Sequence, residues 1–492
     1  MVNRTAQQSG ALHESRAARP ASVPRPERQP WSVLVLLSVA QFMVILDVTV
    51  VNVALPSIGR ALGFAPADLQ WVVTAYVLFT GGLLLLGGRA ADLFGRRRVF
   101  LTGLLVFTAA SLTSGLAPSA TALIVSRGAQ GLGAAFLTPS ALAIITTTYT
   151  GAQRTAALST WGAISSAGAG AGLLFGGMLT TWFGWEWIFL INVPIGVAAG
   201  LLTLRLVPSA PAADTGRRGL DLPGAISGVA GLVLLVYAIT GASDDGWGSA
   251  RTLLLLAASA VLLAGFLLVE RSIEHPMLPP QTWRVRSLVA AVALMLGATS
   301  VLIGTFFLNS IYLQTVLDAS ALKTGIEFLP LAVAIALAAH LASHLLPRSG
   351  SRTLAVFGLT LIAVGTLLFV LAPDRATYAA DLLPGFLVVG VGVGLVFPAV
   401  SVTAMSDVQA ERSGLASGLL MTSHEIGAAL GVAVLSAVAV AGASGSLHAG
   451  IAGGYQDGFL AATIIAAALA LIALLALPAV RPEEGSARAA MH

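Results

Sequence analysis

Fourteen apolar stretches, each long enough to cross a bilayer, constrain this chain more than any other feature. A membrane-crossing helix needs about 20 mostly apolar residues. Stretches of that kind lie near 31–55, 69–88, 99–117, 121–147, 156–181 and 187–206, then near 222–241 and 252–270. Six more follow near 288–313, 324–346, 352–371, 379–404, 413–441 and 457–477. Within lipid the backbone has no water to bond to, so such stretches form helices. Only 10% of the residues are charged, whereas a soluble domain carries about 25%.

The plan reads six helices, two helices, six helices. Residues 1–30, with Arg4, Arg16, Arg19, Arg25 and Arg28 among Ala, Ser and Pro, lack the apolar core of a secretory signal and are expected to be a disordered cytoplasmic tail. The first half is expected over 31–206 and the second over 287–478. Between them lies a 207–286 linker carrying the two additional helices, and 479–492 form a second cytoplasmic tail. Arg217 and Arg218 fall in the linker, after which Asp221 can cap and Pro223 can open the seventh helix.

Charge tests the count, because one missed helix would scramble its alternation. With a cytoplasmic N-terminus, 21 of the 26 basic residues fall on the cytoplasmic side, only Arg60, Arg251, Lys323 and Arg375 fall opposite, and Arg127 lies inside a helix. An even number of helices, with both termini cytoplasmic, is expected. The Ala-, Arg- and Gly-rich composition points to a bacterial cell membrane.

The halves repeat faintly. Ala152-Gln-Arg154-Thr155 opens the fifth helix, which carries Gly168 and Gly172, and Ala410-Glu-Arg412-Ser413 opens the thirteenth, which carries Gly427 and Gly431. Gly131-Leu-Gly133 with Pro139 is echoed by Gly392-Val-Gly394 with Pro398. Duplicated halves are a habit of transporters.

Several functions are excluded. The one lysine, Lys323, follows Leu322, so no Walker A loop exists to bind ATP. With no cysteine there is no thiolate nucleophile and no Cys-type zinc or iron–sulfur site. Neither H-E-x-x-H nor G-x-S-x-G occurs. The basic residues form no stripe that would suit nucleic acid. No enzyme activity, metal or cofactor is expected.

Chemistry concentrates at charges within the apolar stretches. Asp47 interrupts the first helix in Leu46-Asp-Val-Thr-Val-Val-Asn52-Val-Ala-Leu-Pro56, and an intramembrane carboxylate is costly and usually functional. Low dielectric favours a neutral carboxyl, so Asp47 can take a proton from one side and release it when water or a cationic solute arrives. A buried hydrogen bond to a neighbouring helix is the alternative. Arg127 and Gln130 share one helical face. The guanidinium, which keeps its proton, can tune a nearby carboxylate or bind carbonyls at the helix end.

Gly88, Asp92, Gly95, Arg96 and Arg97 occupy a tight turn that can clasp and release as two bundles rock, or simply anchor the positive side. Gly168, Gly172, Gly176 and Gly177 form a smooth ridge for close helix contact. Among other intramembrane polar residues, Gln314 and Glu425 stand out, Glu425 as a second protonatable site deep in the thirteenth helix; Glu327 lies nearer a helix start, where it can cap.

Together these motifs resemble the major facilitator superfamily, and the six-two-six plan resembles its fourteen-helix drug:proton antiporter branch, over about residues 31–478. The family's G-x-x-x-D-x-x-G-R-R loop, tied there to conformational gating, is matched by Gly88, Asp92, Gly95, Arg96 and Arg97. Its first-helix L-D-x-T-x-x-N-x-A-L-P pattern is matched from Leu46 to Pro56. Its fourth-helix arginine pattern, tied to proton movement, is matched by Arg127, Gln130, Gly131 and Gly133. Trp185 to Gly196 resembles the start of its sixth helix.

Two departures stand out. The antiporter signature G-x-x-x-G-P-x-x-G-G is met at Gly168, Gly172, Gly176 and Gly177 but has Leu173 for proline, and His424-Glu425 stands where relatives often carry Arg-Gln.

The resemblance implies an all-α polytopic membrane protein with the major facilitator fold, working as a monomer by alternating access. It implies export of a small lipophilic, drug- or antibiotic-like compound in exchange for protons, with the proton gradient and membrane lipids as its other partners. The expected coupling and cavity residues are Asp47, Arg127, Gln130, Asn52, Gln314 and Glu425. Leu173 leaves proton-coupled uptake open as an alternative, and a non-transporting receptor or scaffold is a third reading.

Overall fold

The computed structural model describes residues 31–481, apart from residue 66 and residues 209–220, 274–275, 277–278, 374–375, 410–412 and 443–447. The expected tails at 1–30 and beyond 481, together with Arg217 and Arg218, lie outside the described residues. Fourteen helices in that range are long and apolar enough to cross a membrane.

We number them in chain order. The first half comprises α1 (Ser32–Leu62), α2 (Trp71–Phe94), α3 (Arg96–Gly115), α4 (Ala120–Thr148), α5 (Gly151–Trp182) and α6 (Trp187–Leu206). The extra pair is α7 (Leu222–Asp245) and α8 (Ala250–Ser272). The second half comprises α9 (Arg286–Thr315), α10 (Ala321–Ser349), α11 (Ser351–Val370), α12 (Tyr378–Met405), α13 (Ser413–Gly442) and α14 (His448–Ala476).

Two boundaries differ from the sequence expectation. α1 runs on to Leu62 through Pro56. A proline cannot bond the carbonyl four residues back, here that of Asn52, and Ser310 of α9 fills the vacancy with an Oγ–O hydrogen bond of 2.5 Å. The turn expected from Gly88 to Arg98 shrinks to one residue, since α2 continues to Phe94 and α3 starts at Arg96. Gly95 makes the break at φ 93°, where a Cβ would be strained.

The halves repeat in packing. α4 lies against α2 and α3 as α12 lies against α10 and α11. Gly133 meets the Phe107 backbone of α3, and Gly392 meets Gly358 of α11. Ala135 faces Gly87 of α2, and Gly394 faces Ile335 of α10. Both equivalences carry the offset of 259 that separates Pro139 from Pro398, so Gly131 corresponds to Gly390 and the glycine pairing read from sequence slips by two residues. The ridges repeat as well: Gly168 and Gly172 seat α5 on α1, and Gly427 and Gly431 seat α13 on α9.

α7 lies across the seam between α2 and α13. The Gln70 side chain of α2 donates to Thr240 of α7 at 2.7 Å and accepts from Ser436 of α13 at 2.9 Å. The extra helices are thereby bonded, through one side chain, to both halves. Asp221 caps α7 as expected, accepting from Gly224 N at 2.9 Å.

Candidate functional site

Asp47 sits at the midpoint of α1 with no solvent exposure. Arg127, eight residues past the Ser119 cap of α4, reaches it with an Nη1–Oδ2 distance of 2.5 Å. The other carboxylate oxygen accepts from Gln130 Nε2 at 2.7 Å and from Asn192 Nδ2 at 2.9 Å. Gln130 also accepts from Arg127 Nη1 and donates to Ser111 of α3, each at 2.7 Å. Arg127 Nε donates to the Val72 carbonyl of α2 at 2.9 Å.

The guanidinium lies 4.3 Å from the centre of the Tyr76 ring and 5.6 Å from that of Phe189, within range of cation–π attraction. Five helices thus converge on one neutral ion pair. Two charges placed in low dielectric cost far more than one bond returns, and full hydrogen bonding is what makes the pair tolerable.

Local structure explains the placement. Arg127 and Gln130 share a face because they lie three residues apart on a helix. Asn192 starts the second segment of α6, after a break at Ile191, where Pro194 fits the first helical turn. Ser111, Asn192, Tyr76 and the Val72 carbonyl were not singled out from the sequence as site groups. A small hydroxyl, an amide, an aromatic ring and a backbone carbonyl look ordinary in membrane helices until neighbouring helices are placed.

Asn52 and Gln314, expected in the cavity with Asp47, lie instead at the crossing of α1 and α9. Gln314 Nε2 donates to the Val53 carbonyl at 2.9 Å, beside the Ser310–Asn52 bond. The glycine ridge of α5 is divided in function: Gly168, Gly172 and Gly176 approach α1, whereas Gly177 approaches the Leu322 backbone of α10 in the other half. Gly325 of α10 rests on the carbonyl of Leu173, the residue that replaces the expected proline, and α5 runs unbroken through it.

These contacts share one end of the molecule, the arginine-poor side carrying Arg60, Arg251 and Lys323. Toward the arginine-rich side, Gly162 of α5 has open space where a side chain would point. The close backbone approaches of α5 and α10 between the halves thus lie on the arginine-poor side, while Gly418 of α13 and Leu85 of α2 keep the halves in contact farther toward the arginine-rich side. On the arginine-rich side, Asp92 is exposed and in no ion pair among the described residues, while Arg97 donates to the Leu204 carbonyl of α6 at 2.8 Å. Gly88 faces Pro139 of α4.

Glu425 stands apart from the Asp47 cluster. It lies at the middle of the α2–α13 seam, where a Cβ on Gly81 would meet its own at 2.5 Å. Its side chain is 19% exposed, and His424 Nδ1 lies 3.5 Å from its carboxylate. Phe397 of α12 meets the His424 ring edge-on, with centroids 5.9 Å apart. Asp47 is thus sealed within the first half, whereas Glu425 at the seam keeps an opening to solvent.

A bundle of fourteen membrane helices in two repeated halves, with a buried polar cluster in the first, has the architecture of a transporter. The chain belongs to the Major Facilitator Superfamily, whose family model matches residues 37–432; it is a multi-pass membrane transporter and not an enzyme. It is 43% identical over 421 residues to the puromycin resistance protein of Streptomyces alboniger, covering 84% of this chain and 82% of that one. It is 39% identical over 446 residues to the cephamycin export protein of Amycolatopsis lactamdurans, covering 89% and 91%. Among solved structures it resembles a peptide transporter bound to sulfate, with TM-score 0.67, 15% identity and 91% and 94% coverage.

Proposed function

We propose that this protein exports small lipophilic antibiotic-like compounds from a bacterial cell in exchange for protons. The sealed Asp47–Arg127 pair carries the reading. Protonating Asp47 removes its charge and with it most of the attraction that holds α1 to α4, so one proton can alter how the helices of the first half pack.

In the cycle we envisage, the described form, fastened on its arginine-poor side, faces the cytoplasm and admits solute between the halves. Solute binding and proton release favour opening to the outside. A proton entering from outside neutralises Asp47, the solute leaves, and the halves return. Asp92 and Arg97 on the cytoplasmic side would engage only in the outward form, which accounts for an unpaired Asp92 here. Export as the direction draws support from relatives named for resistance and export. The proton gradient is the only energy source the chain requires, and it works as a monomer.

A susceptibility panel including puromycin, lincomycin and a cephamycin, in a host lacking its own efflux pumps, tests this. Resistance that disappears with a protonophore is expected. Resistance that survives the protonophore would refute the coupling, and uptake of the same compounds in oriented vesicles would refute the direction.

A further inference from the structure

The bonds around Asp47 leave one atom over. Its carboxylate accepts from Arg127 Nη1 at Oδ2, and from Gln130 Nε2 and Asn192 Nδ2 at Oδ1. All three bonds serve the ionised form, because a carboxylate accepts and has nothing to donate. A protonated Asp47 gains an O–H that itself needs an acceptor, and a buried donor left unmet loses about 5- to 150-fold in population.

Two of the three neighbours cannot supply that acceptor. Arg127 carries donors only. Gln130 Oε1 accepts from Arg127 Nη1 while its Nε2 donates to Asp47 and to Ser111, each at 2.7 Å. Turning that amide over would break all three bonds and set its N–H groups against the guanidinium.

Asn192 differs. It is 0% exposed, and its Nδ2 donates to Asp47 Oδ1 at 2.9 Å and more loosely to Ser111 Oγ at 3.4 Å. Its own Oδ1 has no hydrogen-bond partner, and an unmet buried acceptor calls for a reason. The residue also stands just past the break at Ile191, where the second segment of α6 begins.

We propose that Asn192 turns its side-chain amide over when Asp47 is protonated, so that Asn192 Oδ1 accepts the Asp47 O–H. The inference rests on the proton-exchange reading above and adds the group that receives the neutral carboxyl. In the step, a proton bonds to Asp47 Oδ1, Arg127 loses its negative partner, and the Asn192 amide rotates half a turn about its Cβ–Cγ bond. Oδ1 then takes the place that Nδ2 holds now, 2.9 Å from Asp47 Oδ1, a separation that suits an O–H···O bond.

The proton stays on Asp47 throughout, so Asn192 is a positioning residue. One end of its amide is unmet in either setting, Oδ1 beside the ionised carboxylate and Nδ2 beside the neutral carboxyl. Neither setting is locked, whereas an amide fully bonded in the first would hold Asp47 in its charged form. Release of the proton turns the amide back.

The chain has four asparagines, Asn3, Asn52, Asn192 and Asn309, few enough for infrared spectroscopy to follow one. Purified protein carrying carbon-13 at the asparagine side-chain carbonyls is placed in lipid vesicles, and its difference spectrum is taken on acidification. The neutral Asp47 carboxyl band, identified by its loss in Asp47→Asn, should appear together with a labelled amide band displaced to lower wavenumber, as for a carbonyl that gains a donor. In Asn192→Leu the amide displacement should vanish. A labelled band that stays in place while Asp47 is neutralised, or a displacement that persists in Asn192→Leu, would overturn the proposal.

If Asn192→Leu does not fold, Asn3→Ser, Asn52→Ser and Asn309→Ser together leave Asn192 as the one labelled asparagine, and an unmoved band in that protein overturns the proposal equally. If no Asp47 carboxyl band forms, or if transport of radiolabelled puromycin ignores an imposed pH gradient, the exchange reading itself falls and the proposal with it, so the two failures are told apart.

Discussion

Gly177 lies where α5 meets α10 across the two halves, and a single methyl there tests how the arginine-poor side is closed. A Cβ at this position would stand 2.7 Å from Leu322 Cα and 2.8 Å from the Ala321 carbonyl oxygen. The first distance falls 0.7 Å short of the 3.4 Å at which ordinary contact begins. The obstacle is backbone, which cannot turn aside as a side chain does. Overpacking of this kind costs about 1–3 kcal/mol, which for an equilibrium between two states is about a 5- to 150-fold shift. In the proposed cycle α5 and α10 part when this side opens, so the cost falls on the closed form alone. Gly177→Ala should therefore raise the open population within that range.

The absence of cysteine makes the assay direct. Spin labels at Phe183→Cys and Lys323→Cys report the distance between the exposed ends of α5 and α10. The parent should show one short distance, and Gly177→Ala a second, longer population together with reduced efflux. Gly170→Ala on the same helix, with nothing within 4 Å of the new methyl, should match the parent. An unchanged distance distribution in Gly177→Ala would refute the claim that this contact holds the side closed.

Three further outcomes are expected. Arg127→Met strands a buried charge on Asp47, which costs about 3–5 kcal/mol and should lower the melting temperature in detergent; Asp47→Asn with Arg127→Met should recover much of that stability without recovering efflux. Ser310→Ala leaves the Asn52 carbonyl unmet and should cost about 1–3 kcal/mol by the same melting assay, whereas adding Pro56→Ala restores an N–H for that carbonyl and should reverse much of the loss. In intact cells a membrane-impermeant maleimide should label Arg251→Cys but not Arg98→Cys until the membrane is permeabilised; the opposite pattern would invert the orientation.

Much of the architecture was legible in the chain alone. The count of helices follows from runs of apolar residues, which is a local property, and the arginines follow from which side each loop faces. The first apolar stretch closes at residue 55 in sequence, and only the structure shows the helix running on through Pro56 and Ser310, 258 residues from Asn52, meeting the carbonyl thereby freed. The turn from Gly88 to Arg98 was placed correctly along the chain, yet only φ at Gly95 showed that the turn is one residue.

The site was legible by residue type and not by arrangement. Asp47 and Arg127 announced themselves because ionisable groups are rare among apolar runs, but nothing in their spacing of 80 residues shows that they pair. Asn52 lies five residues from Asp47 and bears on a different contact, because the two residues take different directions around α1. Glu425 and Asp47, alike as intramembrane carboxylates, differ in exposure only because one ends in a five-helix cluster and the other at a seam.

The sequence by itself determined that the chain spans a membrane fourteen times, which way its loops are charged and which residues are too polar to be idle. The tertiary structure decided which of those residues meet, and which glycines serve one half and which join two. The reason is physical. Lipid selects helices by length and hydrophobicity, which each segment carries alone, but it exerts little hydrophobic force between helices. Their pairing is settled by close packing at small residues and by polar groups whose partners lie on other helices.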